Sequence, residues 1–198
     1  MSAPTVTFVT PRYGAEVVGG AEGGARSLAT RMAADGWTVE VLTSCAVTST
    51  TWADHYESGT VEIDGVRVHR FRVDRVRHAD FDSLSHTVLA DPASVGRSSG
   101  LAWIADQGPT SAALLDAVAA VDRGVLAFYP YLYEPTVVGI SRARAPSILH
   151  AAAHPEAPLG LRLFDEVFGS ARGLAHHSRA EQQLVHERFP STRTTPRS

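Results

Sequence analysis

The side chains best suited to chemistry fall in four segments of the sequence, residues 11–20, 44–52, 130–134 and 151–158. These segments hold a large share of the chain's tyrosine, tryptophan, histidine and glycine. Aromatic faces suit the C–H surfaces of sugars and other flat ligands, and glycine lets a ligand approach the backbone. Because each segment is predicted to follow a strand of one parallel sheet, the four should meet at one edge and form a binding site.

Three polar residues in these segments are candidates for direct contact with a ligand. His154 can hydrogen-bond a substrate hydroxyl or carry a proton, and a surface histidine without a role is the competing interpretation. Arg12 can meet a phosphate or a carboxylate, or it can be solvated. Glu156 can accept hydrogen bonds from hydroxyl groups, or it can cap the helix predicted to begin at Leu161.

Four aromatic residues are candidates for the walls of the site. Each can stack on a sugar ring, or it can pack its loop against the sheet, and sequence position does not separate the two roles. These residues are Tyr13, Trp52, Tyr131 and Tyr133.

The glycine pair Gly19–Gly20 precedes a predicted helix and favours close backbone approach to a phosphate or a sugar. A flexible turn is the competing interpretation. The glycine spacing in residues 19–24 does not match the G-x-G-x-x-G pattern, which disfavours nicotinamide and flavin enzymes. His150 and His154 are four residues apart, but His150 ends a predicted strand and Pro155 follows His154, so no metal site is expected.

The composition excludes several classes of function. All 18 basic residues are arginine against 21 acidic residues, and the net charge of −3 argues against a nucleic-acid surface. The absence of lysine rules out a P-loop lysine and a Schiff base. Cys45 is the single cysteine, so no internal disulfide can form. No apolar run approaches a membrane span and four residues precede the first predicted strand, so we expect a cytoplasmic protein without a transmembrane segment.

Strand and helix patterns alternate along the chain. Apolar runs predict parallel strands, and Asp64–Gly65 between two alternating segments predicts a β-hairpin near residues 60–71. We therefore predict an α/β fold, with a Rossmann-like doubly wound, mostly parallel sheet and helices on both faces. Residues 74–100 give a poor signal apart from a helix near 81–89. The predicted elements are strands at 5–10, 37–43, 124–129, 146–150 and 173–176, and helices at 21–35, from 109, at 135–140, at 161–168 and from Ser178 to Phe189.

Several stretches together resemble bacterial family-four-like glycosyltransferases of the GT-B fold. The likeness runs over residues 6–189, and the opening stretch is its most specific part. The matching stretches are residues 10–22, 35–43, 64–66, 153–156 and 168–189.

The resemblance implies a chain that forms half of a two-domain enzyme. In such enzymes two Rossmann-like halves face each other across a cleft, and the N-terminal half mainly binds the acceptor. Residues 1–190 would be this acceptor-side domain of a retaining transferase, which uses a nucleotide-sugar donor as substrate and needs neither cofactor nor metal. The glycines Gly19 and Gly20 would lie beside the donor phosphates and the acceptor, and His154 would lie near the reacting centre. Pro155 stands where the family usually has an acid.

The acceptor contacts implied by the same reasoning come from the remaining candidate residues of the four loops. These are Arg12, Tyr13, Trp52, Tyr131, Tyr133 and Glu156.

The resemblance also implies that the donor-binding half is missing from this chain. Residues 191–198 are expected to be a linker or a disordered tail, and a separate donor-half partner chain is one way to complete the enzyme. We expect little transfer by the chain alone. The alternative is a non-catalytic carbohydrate- or nucleotide-binding module. A sugar-nucleotide epimerase is disfavoured because the chain lacks both G-x-G-x-x-G and any lysine.

Overall fold

The computed structural model describes residues 3–193, which build an α/β fold around a seven-stranded sheet. The strands are β1 (Thr5–Val9), β2 (Thr38–Ser44), β3 (Gly59–Ile63), β4 (Val66–Phe71), β5 (Val125–Phe128), β6 (Ser147–His150) and β7 (Gly173–Ala175). The helices are α1 (Gly20–Ala34), α2 (Phe81–Leu89), α3 (Arg97–Gln107), α4 (Ala112–Ala120), α5 (Glu134–Val137), α6 (Gly139–Arg142), α7 (Leu163–Ser170) and α8 (Arg179–Arg188). None of the described helices has both the length and the apolar character needed to cross a membrane.

The strand order in the sheet is β3-β4-β2-β1-β5-β6-β7. All neighbouring strands are parallel except β3 and β4, which form the predicted antiparallel hairpin. The order proceeds outward from β1 in both directions, so β1 and β5 flank the point where the winding reverses. The predicted doubly wound fold is confirmed. Ligands of such sheets bind beyond the carboxyl ends of the strands at this switch point.

The sheet separates two apolar layers because alternate residues of each strand face opposite sides. Val6 and Phe8 of β1 pack with Ala25 and Ala29 of α1 in one layer. Val9, on the opposite face of β1, belongs to the other layer, which contains residues of α3, α4, α7 and α8. Both faces of the central strands are therefore buried, as their nearly continuous apolar sequences require.

Two turns have the backbone geometry that their residues predicted. Asp64 and Gly65 have φ values of 51° and 76°, the paired left-handed conformation that an Asp-Gly hairpin turn requires. Gly36 has φ of 88° directly after the last turn of α1 and allows the chain to enter β2.

One region differs from the sequence-based expectations. Helix α3 was not predicted, because its Arg97–Gln107 segment contains Ser98, Ser99 and Gly100 and lacks a clear apolar stripe. Gly100 nevertheless faces the Leu163 side chain, so the helix packs closely at its least helix-favouring residue. At the C-terminal end of the described residues, Pro190–Arg193 forms a 3-10 turn, and residues 194–198 of the expected linker or disordered tail lie outside the described residues.

Candidate functional site

A cavity of about 550 Å³ lies at the carboxyl edge of the sheet. Its walls come from the segments that follow β1, β5, β6 and β7, so it lies at the point where the winding of the sheet reverses. The lining residues are Arg12, Gly20, Ala21, Glu22, Pro130, Tyr131, Leu132, Tyr133, Ala152, Ala153, His154, Glu156, His177, Ser178 and Glu181. Three of the four loops singled out in the sequence thus meet, whereas residues 44–52 do not line the cavity.

Arg12 is a buried, paired arginine at the base of the cavity. Its Nε and Nη2 groups donate to Oε1 of Glu22 at 3.0 and 2.5 Å, and Nη1 donates to the Val47 carbonyl at 3.2 Å. The two side chains are only 9% and 7% exposed. The guanidinium lies 5.6 Å from the centre of the Trp52 ring. Most of the binding capacity of Arg12 is therefore used inside the protein, and Glu22 is a cavity residue that sequence reasoning missed.

Gly19 and Gly20 have different surroundings although they are adjacent. A Cβ atom on Gly19 would collide with the carboxylate of Glu22, so this glycine makes room for the Arg12–Glu22 pair. A Cβ atom on Gly20 would meet nothing within 4 Å, and Gly20 lines the cavity as the first residue of α1. No side chain caps this helix within the described part of the chain. The N-terminus of α1 therefore presents backbone N–H groups and its partial positive charge to the cavity.

His154, Glu156 and Tyr131 form a connected group on the opposite wall. The buried Tyr131 hydroxyl donates to Oε1 of Glu156 at 2.9 Å. His154 Nε2 lies 3.4 Å from Oε2 of Glu156, and its side chain is 70% exposed. Burial and the adjacent Glu156 carboxylate raise the pKa of Tyr131 well above its ordinary value, so the hydroxyl remains a donor. The structure brings these three predicted residues together.

Trp52 and Tyr133 form an aromatic contact behind the cavity. The rings meet edge to face with centroids 5.2 Å apart, and the fully buried Trp52 indole donates to the Gln107 carbonyl at 2.8 Å. Tyr133 lines the cavity, whereas Trp52 lies outside the lining and supports both Tyr133 and Arg12. Burial raises the pKa of Tyr133. Of this aromatic pair, Tyr133 alone lines the cavity.

Tyr13 also lies outside the cavity lining. It is 1% exposed and packs in the layer that contains α1, and burial raises the pKa of its hydroxyl. Its position matches the interpretation in which a loop aromatic packs against the sheet.

Glu181 and His177 also line the cavity, although neither is among the candidate residues that the sequence indicated. The buried carboxylate of Glu181 accepts from the Ala153 N–H at 3.1 Å and the His177 N–H at 2.6 Å. His177 is exposed, and its ring lies 5.9 Å from that of Tyr129. The topology could have indicated both residues as site residues. They follow the short strand β7, and ligands of a parallel sheet bind at the edge where its strands end.

A tyrosine–histidine pair lies next to His177. The Tyr129 and His150 rings stack with centroids 4.1 Å apart, and the Tyr129 hydroxyl shares a 2.6 Å hydrogen bond with His150 Nδ1. Burial lowers the pKa of His150 to about 4, with a smaller effect from His177. Burial also raises the pKa of Tyr129, so the hydroxyl is the donor and the neutral imidazole is the acceptor.

The ionisable residues give the two sides of the cavity different character. Arg12 is the cationic side chain among the described lining residues, and Glu22, Glu156 and Glu181 are the carboxylates. Glu22 forms an ion pair with Arg12, so the two charges compensate each other. The other two carboxylates lie in the wall formed by the segments after β6 and β7. Helix α1 offers N–H donors on one side, and the opposite wall offers carboxylate and imidazole groups that bind hydroxyls.

Two further chemistries find no support in the described residues. Residues 3–193 contain no cluster of three or more His, Cys, Asp or Glu side chains that could hold a metal ion. The sequence has a G-x-S-x-G pattern at residues 96–100, which in hydrolases marks a strand-to-helix nucleophile elbow. Here Gly96 precedes helix α3 after a 3-10 turn rather than a strand, and Ser98 is an exposed residue of the first helical turn without positive φ. The pattern therefore lacks the geometry of an elbow.

The chain was also compared with known proteins. It matches no protein-family model and no curated protein.

Proposed function

We propose that the chain is the acceptor-side half of a retaining glycosyltransferase that transfers a sugar from a nucleotide-sugar donor to a hydroxyl-bearing acceptor. The observation that carries this proposal is the cavity at the switch point, where the Tyr131 hydroxyl donates to Glu156 and the His154 ring lies beside the same carboxylate. Such a wall suits hydroxyl groups, because carboxylate oxygens accept from them and imidazole can donate or accept. The sequence resemblance gives the reaction class.

The α1 side of the cavity supports a place for the donor. Gly20 opens the helix with free space at its Cβ position, so a phosphate can approach the backbone there. In the reaction, these N–H groups would reduce the charge that develops on the leaving diphosphate. His154 would orient the acceptor hydroxyl near the anomeric carbon. The donor sugar and its nucleotide would be held mainly by a second, donor-binding half.

A charge series tests the acceptor site. Methyl glucoside and myo-inositol represent neutral polyols, and glucose, glucosamine, glucose 6-phosphate and glucuronate share one ring with different charges. We expect neutral and ammonium-bearing sugars to bind with dissociation constants on the order of millimolar, and the phosphate and carboxylate forms to bind more weakly. Repulsion from the Glu156 carboxylate is the reason. Saturation-transfer NMR and calorimetry measure these affinities.

Two variants make the test specific to the cavity. Glu156→Gln removes a carboxylate from the wall and is expected to weaken polyol binding and reduce the discrimination against anionic sugars. Glu166→Gln, on the exposed surface of α7, is the matched control and should change neither. If no neutral or amino sugar binds, or if both variants behave alike, the acceptor assignment is refuted.

The second candidate is a nucleotide-binding module without transferase activity, and the uncapped N-terminus of α1 is the observation that favours it. Under this alternative, a nucleoside diphosphate binds the chain more tightly than any polyol. Glu156→Gln would not reduce that binding. Robust sugar transfer by the chain alone would contradict both the half-enzyme proposal and this alternative. The release of nucleoside diphosphate from nucleotide sugars measures this transfer.

A further inference from the structure

Glu181 is the third residue of α8, where a glutamate normally completes a capping box. In that motif its carboxylate would return to the N–H of Ser178, whose hydroxyl accepts from the Glu181 N–H at 3.1 Å. Here the Ser178 half of the box is present, but the carboxylate bonds elsewhere. One oxygen accepts from His177, and the other accepts from Ala153 in the loop after β6. The side chain therefore links two walls of the cavity.

The loop after β6 needs such an external contact because of its backbone conformation. Ala152 has φ of 53°, a left-handed conformation that costs a non-glycine residue free energy. The Ala151 carbonyl accepts from the Tyr131 N–H at 3.1 Å, and the Ala153 N–H donates to Glu181 at 3.1 Å. Ala152 is thus held between two anchors, and the chain leaves the second anchor directly into His154.

We propose that Glu181 is a positioning residue, which acts through the loop after β6 to place His154 and Glu156 at the cavity. The inference rests on the proposed function for the identity of the ligand. Glu181 is 6% exposed, and both of its oxygens are taken by backbone N–H groups, so its effect on the ligand passes through the loop. Loss of these bonds frees the Ala153 N–H and allows residues 152–156 to leave the conformation that joins Glu156 to Tyr131.

The competing interpretation is that Glu181 only stabilises α8. A matched variant distinguishes this stabilising role from the positioning role. Val185, on the same helix, is fully buried in the apolar layer and does not line the cavity. Val185→Ala removes apolar packing from α8 but leaves the Glu181 carboxylate and its two backbone donors in place. Glu181→Gln keeps the size of the side chain but replaces one acceptor oxygen by a donor, and Glu181→Ala removes both acceptors.

The experiment compares these variants by four measurements on the whole chain. Calorimetry gives the affinity for methyl glucoside and glucosamine, hydrogen exchange gives the protection of the Ala153 N–H, NMR at a fixed pH gives the chemical shifts of the His154 ring, and thermal unfolding gives the stability. For Glu181→Gln and Glu181→Ala we expect about tenfold weaker sugar binding, about tenfold faster Ala153 exchange and changed His154 ring shifts. For Val185→Ala we expect a similar or larger loss of thermal stability with wild-type affinity, Ala153 exchange and His154 ring shifts.

The proposal is overturned if Val185→Ala weakens sugar binding as much as the Glu181 variants do, since affinity would then follow helix stability. It is also overturned if Ala153 exchange and the His154 ring shifts are unchanged in both Glu181 variants. If neither sugar binds the unaltered chain, the proposed function fails, while the exchange and chemical-shift measurements still decide whether Glu181 positions the loop.

Discussion

Replacing Arg12 by methionine is expected to be one of the most destabilising single changes at the cavity. Methionine fills a similar volume without charge, so the change leaves the Glu22 carboxylate, 6% exposed, without its cation. Removing one partner of a buried ion pair costs about 3–5 kcal/mol, because the remaining charge is desolvated and unpaired. In a domain of this size, each kcal/mol of lost stability lowers the melting temperature by about 2–4 °C. We therefore expect the melting temperature of Arg12→Met to be lower by about 6–20 °C.

The double variant Arg12→Met/Glu22→Leu provides the decisive comparison. A buried pair replaced by apolar residues of similar volume often leaves stability unchanged or increased, so the second substitution should recover most of the loss. The same cycle on Arg97 and Glu166 is the control. These side chains are 63% and 59% exposed, and breaking their pair should cost no more than about 1 kcal/mol.

Urea unfolding followed by circular dichroism and tryptophan fluorescence measures both cycles. Trp52 lies 5.6 Å from the Arg12 guanidinium and reports on the pair directly. The reasoning is refuted if Arg12→Met costs no more than the exposed control. It is also refuted if the double variant is as unstable as the single one, since the penalty would then come from lost packing rather than from the stranded carboxylate.

Four further substitutions test the cavity and its surroundings. Below pH 6.5 the unfolded chain binds a proton at His150 that the native state, with its pKa lowered to about 4, does not bind. Stability should therefore fall as the pH drops from about 6.5 towards 4, and His150→Gln should reduce this loss in urea titrations. Tyr131→Phe should cost about 1.5–3 kcal/mol by urea unfolding and weaken sugar binding, because Glu156 loses its donor. Gly19→Ala should lower the melting temperature, because the added methyl group crowds the buried Glu22 carboxylate. Gly20→Ala should leave the melting temperature unchanged and weaken the binding of phosphate-bearing ligands measured by calorimetry.

The strand framework was predictable because it rests on local patterns. Apolar runs bounded by turn residues gave the parallel strands, and Asp64–Gly65 gave the hairpin. Helix α3 was not predictable in the same way. Its Ser98, Ser99 and Gly100 have weak helix propensity, and the close packing of Gly100 against Leu163 depends on a helix more than sixty residues later in the chain.

The residues of the candidate site were also predictable only where the signal is local. His154, Glu156 and Tyr131 were found because polar and aromatic residues in loops after predicted strands are visible in sequence. Tyr13 and Trp52 have the same local signal, yet they are buried outside the cavity lining. Periodicity gives the strand from which a loop starts but not the direction of each loop side chain. That direction depends on long-range partners such as the Gln107 carbonyl, which takes the Trp52 indole N–H.

Glu22 and Glu181 show why glutamates in the first turn of a helix were missed at the site. Each is the third residue of a helix that begins at the carboxyl edge of the sheet, each is 6% exposed, and each lines the cavity. A first-turn glutamate is expected at any helix because it interacts favourably with the helix dipole, so the sequence pattern suggests only stability. In a parallel sheet, however, these helices begin where ligands bind. The partner then decides the role of the carboxylate: Arg12 neutralises Glu22, whereas two backbone N–H groups make Glu181 a link between cavity walls.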